Sequence, residues 1–261
     1  MPLRTRKSSG FGSVFAGLFK FLGERKTKAK FPDPPVLLLG SPRSGTSISI
    51  AVLSAHPQLY CLPFESRMLT EWTTLKSGKL YPQRRYRLYR HVLFNRIPNG
   101  KRLVEKSPAH LSEIPEIEKY YGKGKAKFVH IVRDGRDVVL STYPGSDAHP
   151  SADRWMYEVE IALKYKDWPN FYTIRYEDLI KNFDKTIGGL CDYLELPFDN
   201  AMKDWFRNKT MSSHEGVGKV QPLFSGSIQK WKKVPDHPEV KKLNEDPRAR
   251  QLLTVWGYLA G

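Results

Sequence analysis

Two short apolar runs in the chain predict buried β-strands, and a third segment predicts one more strand. They lie at residues 36–39, Lys127–Val132 and Phe171–Arg175. Strands that are covered on both faces read as continuous apolar runs, whereas half-exposed strands alternate apolar with polar residues. The first two segments therefore predict strands that are covered on both faces of a sheet.

Helical spacing of apolar residues follows these runs. Residues 48–55 and 138–142 fit helices after the first two strands. Two further apolar stripes predict helices that contain Trp155, Val159, Ala162 and Leu163 in one case and Phe183, Ile187, Leu190 and Leu194 in the other. Strands that alternate with helices predict an α/β fold with three layers, in which a mostly parallel central sheet is flanked by helices.

Residues 1–35 are predicted to form a basic appendage to a domain at residues 36–261. Within it, residues 10–23 are apolar and have basic clusters on both sides. The large apolar residues at helical spacing are Phe11, Phe15, Leu18, Phe19 and Leu22. The stretch is too short to cross a bilayer, but it is typical of an interfacial helix on anionic lipid or of a targeting segment. Peripheral membrane contact through residues 10–30 is one expectation; a helix packed on the domain, or a tail, is the alternative.

Charge is unevenly distributed along the 261 residues. The chain has 43 Lys and Arg against 27 Asp and Glu, a formal net charge of +16. Residues 1–32 hold eight basic residues and one acid, and residues 76–106 hold ten basic residues and one acid. An excess concentrated in two blocks indicates anionic partners such as phosphate, lipid head groups, nucleic acid or an acidic substrate.

The cysteine and histidine pattern predicts neither a disulfide framework nor a metal site. The only cysteines are Cys61 and Cys191, and the seven histidines show no metal-binding spacing. Two buried thiols in a reducing compartment are expected, so the predicted location is the cytoplasm, with membrane association left open. Whether the chain forms a homodimer is also left open.

A loop with the features of an anion site follows the first predicted strand. Residues 40–47 read Gly-Ser-Pro-Arg-Ser-Gly-Thr-Ser and precede a predicted helix. Glycines let backbone N–H groups converge on one point, and the N-terminus of the helix adds positive potential. The nucleotide P-loop expects a lysine where Thr46 stands, and here the cation is Arg43 instead. The sequence therefore predicts a P-loop-like fold with a modified phosphate loop.

The end of the second predicted strand indicates a second phosphate rather than a metal. A kinase-type site needs an acidic residue there to hold Mg²⁺, but Arg133 follows Val132. A phosphate loop after one strand and an arginine at the end of another are typical of a site for a nucleotide that carries a 5′ anion and another phosphate elsewhere.

These two segments resemble the PAPS-dependent sulfotransferases. Residues 41–47 are similar to that family's 5′-phosphosulfate loop, and residues 131–141 are similar to its 3′-phosphate-binding strand and helix. The resemblance implies 3′-phosphoadenosine 5′-phosphosulfate (PAPS) as co-substrate, with Arg133 and Ser141, eight residues apart, on the 3′-phosphate. It implies further PAPS contacts from Arg43, Ser44, Gly45, Thr46, Ser47, Tyr176, Lys219 and Lys230.

Shorter segments resemble the protein-tyrosine sulfotransferases and related bacterial sulfotransferases. They are residues 55–57, 63–67, 105–108, 174–179 and 256–258. This resemblance implies that Glu65 is the base, with Lys106 and Arg43 as the catalytic cations. Pro108 stands where small-molecule sulfotransferases carry a histidine base, and Val104 stands where the tyrosine-directed enzymes carry a cysteine that would pair with one near Cys61.

Several alternatives for these roles remain open. His110 and Glu105 are the other candidates for the base, and a salt bridge from Glu65 to Arg67 or Arg43 is the alternative role for Glu65. The basic residues between Glu65 and Lys106 are expected to border the acceptor. There, Arg85, Arg87 and Arg90 alternate with Tyr86, Leu88 and Tyr89, which predicts an amphipathic helix with a basic face.

The function expected from this resemblance is metal-free transfer of a sulfuryl group from PAPS to an acceptor hydroxyl, by in-line displacement. The acceptor is unidentified, and the charge favours an acidic one. The competing interpretations are a P-loop kinase for a small molecule and a basic module that binds membrane or nucleic acid. The sequence contains no nucleic-acid-binding motif, so no nucleic-acid partner is expected.

Overall fold

A five-stranded parallel sheet forms the centre of the computed structural model, which describes residues 10–66, 86–142, 147–207 and 225–259. The strand order is β2-β3-β1-β4-β5, and each neighbouring pair is parallel. The strands are β1 (Val36–Gly40), β2 (Leu59–Cys61), β3 (Arg102–Lys106), β4 (Lys127–Val132) and β5 (Phe171–Arg175). The three predicted strands, β1, β4 and β5, are confirmed, and β5 lies at one edge of the sheet.

Helices cover both faces of this sheet. They are α1 (Gly10–Lys30), α2 (Thr46–Ser54), α3 (Tyr86–Phe94), α4 (Ile114–Tyr121), α5 (Gly135–Val138), α6 (Ala152–Leu163), α7 (Tyr176–Lys181), α8 (Phe183–Leu194), α9 (Pro238–Glu245) and α10 (Pro247–Val255). Short 3₁₀ segments include Pro108–Glu113, Ser225–Ser227 and Lys230–Lys233. The predicted three-layer α/β fold is confirmed.

Alternation along β1 divides the apolar interior into two parts. Leu37 and Leu39 pack in one cluster with residues of α4, α6, α9 and α10, whereas Val36 and Leu38 pack in another with residues of α2 and α8. Successive side chains of a strand point to opposite faces, so a strand buried on both sides must be apolar throughout. This explains why β1 was recognisable as a continuous apolar run.

The helix predicted at residues 138–142 was wrong in its bounds. The helix there is α5, which begins at Gly135 and ends at Val138. Asp134 caps its first turn, because the Asp134 side chain accepts a hydrogen bond from the N–H of Arg136. Apolar spacing cannot locate such a cap. Ser141 consequently lies beyond the helix, in a turn in which its N–H donates to Val138 O.

Two strands, β2 and β3, and four helices, α4, α7, α9 and α10, were not predicted. The strand β3 carries Arg102, Glu105 and Lys106, so it lacks an apolar run although its last four residues are buried. The strand β2 is only three residues long. Both lie on the side of the sheet from which Glu65 and Lys106 emerge.

The apolar N-terminal stretch is part of α1, which packs along α3. The side chain of Tyr89 lies so close to Gly23 that a Cβ there would be 2.5 Å from Tyr89 Cβ. Lys26 Nζ donates to Leu93 O at 3.0 Å, and Lys30 Nζ donates to Ile97 O at 2.8 Å. The second half of α1 therefore fits the alternative of a helix packed on the domain, while the boundary at residue 35 stays a prediction. None of the described helices has both the length and the hydropathy that crossing a bilayer requires.

Phe128 tests the packing between the sheet and its helices. It is fully buried in the cluster that contains Leu37. We expect Phe128→Ala to lower the free energy of unfolding by about 3–5 kcal/mol, since it removes transfer energy and leaves a cavity. Urea denaturation checks this. The control Phe198→Ala, at a side chain 37% exposed, should change stability far less; equal losses would contradict this core assignment.

Candidate active site

The carboxyl ends of β1, β3 and β4 meet at one edge of the sheet. Leu38 pairs with Lys106 of β3, and Gly40 pairs with Ile131 of β4. Three features therefore begin side by side at this edge: the loop after β1, the turn that follows Lys106, and Arg133 itself. In parallel α/β sheets this edge is where ligands bind.

The loop after β1 folds tightly back on itself. Ser44 N and Ser44 Oγ both donate to Ser41 O, at 3.1 and 2.6 Å. Gly45 has φ 105°, and a Cβ there would lie 2.5 Å from the ring of Tyr176, so this position requires glycine. Arg43 has φ 68°, a left-handed conformation that costs a non-glycine residue about 1–2 kcal/mol. Thr46 begins α2 directly after this turn, followed by Ser47.

Glu65 and Lys106, both predicted to be catalytic, form an ion pair. Lys106 Nζ lies 2.6 Å from Glu65 Oε1, and the two side chains are 3% and 24% exposed. The sequence left open a salt bridge from Glu65 to Arg67 or Arg43. Among the described residues Glu65 pairs with Lys106. Arg67 lies outside the described residues, so its pairing with Glu65 stays a prediction.

A buried carboxylate, Glu105, holds the two segments that carry this pair. Glu105 Oε1 accepts hydrogen bonds from Ser66 N at 2.9 Å, Ser66 Oγ at 2.7 Å and Ser107 Oγ at 2.5 Å. Ser66 follows Glu65 and Ser107 follows Lys106 in the chain. Glu105 therefore acts as a clamp that fixes the backbone next to both members of the ion pair.

The surroundings of Glu105 keep its carboxylate charged. Burial raises its pKa, but the charge of His110 and the hydrogen bonds from Ser107 and Ser66 outweigh burial and lower the pKa to about 2. His110 Nδ1 lies 2.9 Å from Glu105 Oε2, and both side chains are fully buried. Neither residue is accessible to an acceptor, so the structure argues against both as alternatives to Glu65.

Arg133 stands at the centre of the second predicted anion site. Its Nη1 donates to Arg43 O at 3.0 Å and to Ser141 Oγ at 3.4 Å. Its guanidinium lies 4.4 Å from the ring centroid of Tyr176. The structure thus brings together four residues that the sequence predicted as PAPS contacts: Arg43, Arg133, Ser141 and Tyr176.

Ser227 joins this site although sequence reasoning missed it. Its carbonyl accepts from Arg133 Nη2 at 2.6 Å, and its hydroxyl lies 2.9 Å from the hydroxyl of Tyr176. Asp137 anchors the following segment, because its carboxylate accepts from Gln229 N at 2.7 Å and from Trp231 N at 3.1 Å. No local pattern around Ser227 or Asp137 indicates contacts across more than 90 residues of sequence.

Lys230 belongs to the same group of positive charges. Burial lowers the pKa of the Lys230 ammonium, and repulsion by Arg133 and Arg43 lowers it further, against the opposing charge of Asp137. Three cations, Arg43, Arg133 and Lys230, therefore lie within electrostatic reach of one another at the end of the sheet. Lys219, the other predicted lysine, lies outside the described residues.

Glu177 connects this site to the end of the described chain. Glu177 Oε1 accepts from Asp134 N at 3.0 Å, and Glu177 Oε2 accepts from the hydroxyl of Tyr258 at 2.9 Å. Burial raises the pKa of Glu177, although hydrogen bonds from Asp134 N and Tyr258 oppose it. Glu177 thereby ties the start of α7, where Tyr176 lies, to the turn after Arg133.

The predicted basic helix borders Glu65. Arg87 Nη1 donates to Glu65 O at 2.7 Å, and its guanidinium lies 4.7 Å from the ring centroid of Phe64. In α3, Leu88 is buried whereas Arg87 and Arg90 are exposed, as the amphipathic pattern predicts. Arg85 lies outside the described residues. Within the part of the chain that is described, no group of His, Cys, Asp or Glu side chains is arranged to hold a metal.

Solved structures share this fold. The sulfotransferase domain of the Synechococcus PCC 7002 olefin synthase superposes with a TM-score of 0.63 at 22% identity, covering 89% of this chain and 97% of that domain. Mouse sulfotransferase SULT7A1, solved as a complex with PAP, gives a TM-score of 0.53 at 16% identity, covering 90% of this chain and 92% of that one. At these identities the likeness shows the fold alone.

Curated relatives match most of the chain at low identity. An uncharacterised protein of Aquifex aeolicus is 22% identical over 81% of this chain, and protein-tyrosine sulfotransferase A of Caenorhabditis elegans is 20% identical over 83%. Sulfotransferase 2A1 of Mus musculus is 25% identical over 67%. The matches cover 32% of the Aquifex protein, 68% of the worm protein and 64% of the mouse protein. The chain thus spans about a third of the first of these and about two thirds of the others.

A family model gives the direct assignment. The model described as "Sulfotransferase family" matches residues 34–200. The matched range contains the loop after β1, the Glu65–Lys106 pair, the Glu105 clamp and Arg133 with Ser141. By sequence, fold and the arrangement of these residues, the chain belongs to the sulfotransferase family.

Proposed function

We propose that the chain transfers a sulfuryl group from PAPS to the hydroxyl of an acceptor. The observation that carries this proposal is the contact of Arg133 with Arg43 O and Ser141 Oγ at the edge of the sheet, with Lys230 within electrostatic reach of both arginines. Clustered cations repel one another, so such a group favours binding of a ligand with several negative charges. PAPS has anionic groups at both its 3′ and 5′ positions, which matches two anion sites on neighbouring strands.

Each phosphate of PAPS is assigned to one of the two sites. Arg133 and Ser141 would hold the 3′-phosphate, with Lys230 adding positive charge. The backbone N–H groups of residues 45–47 and the hydroxyls of Thr46 and Ser47 would hold the 5′-phosphosulfate at the start of α2. The predicted Ser44 contact is not supported, because Ser44 N and Ser44 Oγ both donate to Ser41 O. Tyr176 packs against Gly45 and Arg133, between the two sites, and is proposed to contact the nucleoside.

Charge stabilisation and positioning would supply most of the catalysis. The acceptor oxygen forms a bond to sulfur while the bond from sulfur to the 5′-phosphate oxygen breaks, which releases PAP. Arg43 and Lys106 would balance the negative charge that develops on the departing phosphate. Glu65 would take the proton of the acceptor hydroxyl, and its contact with Lys106 would place both groups at the same reacting centre.

Glu105 would act in this reaction as a positioning residue. Its carboxylate binds Ser66 and Ser107, the residues that follow Glu65 and Lys106 in the chain. Without this clamp both catalytic groups would still be present, but the distance between them would no longer be fixed. Small displacements of reacting groups cost enzymes much of their rate.

Replacement of Arg133 tests the 3′-phosphate site. We expect Arg133→Ala to weaken PAP binding by about 100-fold, since it removes charge-assisted hydrogen bonds to a phosphate. Isothermal titration calorimetry with PAP measures this effect. Arg207→Ala, a matched change at an exposed arginine, should leave PAP affinity unchanged. If both variants bind PAP like the unmodified chain, Arg133 does not hold the 3′-phosphate.

Replacement of Glu65 tests the proton acceptor. Glu65→Gln should reduce turnover by roughly 10²–10⁴-fold, the usual contribution of a general base, with PAP affinity nearly unchanged. Transfer of labelled sulfuryl from PAPS to components of an extract of the source cells provides the measurement. Glu195→Gln, at an exposed carboxylate that pairs with Lys127, serves as the control. Full turnover by Glu65→Gln would assign the base elsewhere.

The low pKa of Glu105 gives a pH-dependent prediction. A carboxyl group with a lower pKa in the folded state stabilises the fold above its unfolded pKa, near 4.5, and loses that contribution as the pH falls towards about 2. Glu105→Gln should therefore reduce stability at neutral pH and flatten the acid limb of the stability profile between pH 4.5 and 2. Urea denaturation at several pH values checks the slope.

The positioning role of Glu105 requires a second readout. If the clamp positions the catalytic pair, Glu105→Gln should lower kcat more than it raises the KM for PAPS, with PAP binding retained. A variant that loses stability but keeps its kcat would show that Glu105 is structural only.

A further inference from the structure

The two basic blocks of the sequence lie side by side in the folded chain. The first block includes α1 and the second includes α3. The contacts from Gly23, Lys26 and Lys30 reach successively later residues of α3 and the loop that follows it. The two helices therefore run parallel, and their positive charges share one region of the surface.

Both helices leave large apolar side chains exposed. Leu18, Phe21 and Leu22 of α1 are 52%, 59% and 43% exposed, and their spacing of three and four residues puts them on one face. Phe94, at the end of α3, is 75% exposed. Clustered exposed apolar side chains of this size are uncommon on soluble surfaces and mark interaction sites.

Exposed basic residues surround these apolar side chains. They are Lys20, Arg25 and Lys28 on α1, with Arg90 on α3 and Arg96 just after it. The only acid among residues 1–32, Glu24, accepts a hydrogen bond from the hydroxyl of Tyr120. Apolar residues on one face of a helix, flanked by Lys and Arg, have the composition of an interfacial helix on anionic lipid.

We propose that α1 and α3 form a docking surface for an anionic lipid bilayer. Leu18, Phe21, Leu22 and Phe94 enter the boundary between head groups and acyl chains, and the basic residues contact anionic head groups. A second copy of the chain fits this surface poorly, because a symmetric contact would bring the same positive charges together. A polyanion without apolar groups would leave the four apolar side chains exposed.

The position of this surface has a consequence for catalysis that rests on the proposed function. Arg87, Arg90 and Phe94 share the exposed side of α3, and Arg87 donates a hydrogen bond to Glu65 O. Seven helical residues span about 10 Å, so Phe94 lies about that distance along the axis from Arg87. Docking would thus hold the acceptor side of the Glu65–Lys106 pair close to the lipid surface.

Sedimentation of the full chain with lipid vesicles tests the docking surface without PAPS. We expect strong binding to phosphatidylcholine vesicles that contain phosphatidylserine, weak binding to phosphatidylcholine alone, and a decrease with added salt. Each basic residue near an anionic membrane contributes roughly a fivefold gain in partitioning. The triple variant Lys20→Gln, Arg25→Gln, Lys28→Gln should therefore bind about 100-fold more weakly.

Variants at apolar residues, compared with control variants, distinguish insertion of side chains into the bilayer from electrostatic attraction to its surface. Phe21→Ser with Leu22→Ser should weaken vesicle binding at least tenfold, because buried apolar area is lost. Matched controls are Tyr157→Ser, at a side chain 52% exposed on α6, and Lys181→Gln with Lys185→Gln; both should bind vesicles like the unmodified chain.

Three results would overturn the docking proposal. The first is no binding to vesicles that contain phosphatidylserine, and the second is equal binding by the α1 variants and the unmodified chain. The third is a dimer in sedimentation velocity, abolished by Phe21→Ser with Leu22→Ser, together with no detectable vesicle binding. Thermal shift by PAP is recorded for every variant. A variant that loses vesicle binding but still binds PAP has lost only the docking surface. Such a result bears on the docking proposal and leaves the proposed catalytic function unaffected.

Discussion

Mutual repulsion among cations at one edge of the sheet is the physical constraint on which this site depends. Arg43, Arg133 and Lys230 come from three distant parts of the chain, and the fold holds them within electrostatic reach of one another. The parallel sheet makes this possible, because its apolar strands fix the ends of β1 and β4 side by side. The stability of the core thus offsets a local cost that a polyanionic ligand would relieve.

The charged and polar groups around Glu105 attract one another instead of repelling. Glu105 is a fully buried carboxylate whose Oε1 accepts three hydrogen bonds and whose Oε2 lies 2.9 Å from His110 Nδ1, and it joins the backbone after Glu65 to the residue after Lys106. Removing one member of such a network leaves the others buried and unsatisfied, so the network fixes one geometry. The proposed catalytic pair is therefore held by an interior carboxylate, while the Glu65 side chain itself is 24% exposed.

The sequence was informative where a residue's surroundings follow from local pattern. The strands β1 and β4 were predictable because both faces are covered and their buried positions are almost all apolar. The strand β5, which lies at the sheet edge and is only partly buried, was also predicted. The strand β3 was not predictable, because hydropathy does not predict the burial of charged residues such as Glu105 and Lys106. The resemblance at residues 41–47 and 131–141 located Arg43, Arg133 and Ser141, which the structure brings together.

The contacts that complete the site could not be predicted in this way. Ser227 reaches Arg133, and Gln229 reaches Asp137, across more than 90 residues. Nothing in the local sequence marks either partner. The start of α5 was misplaced for a related reason, since the Asp134 cap depends on a side-chain hydrogen bond rather than on apolar spacing. The packing of α1 along α3 likewise emerged only from the fold, and it merged two charge blocks that the sequence had assigned to separate partners.

A crystal structure of the chain with PAP tests the central claim most directly. The account predicts that the 3′-phosphate contacts Arg133 and Ser141, and that the 5′-phosphate lies in the loop of residues 41–47 with Lys106 beside it. A complex in which PAP lies away from Arg133 and from that loop, or failure of PAP to bind at saturating concentration, would contradict it.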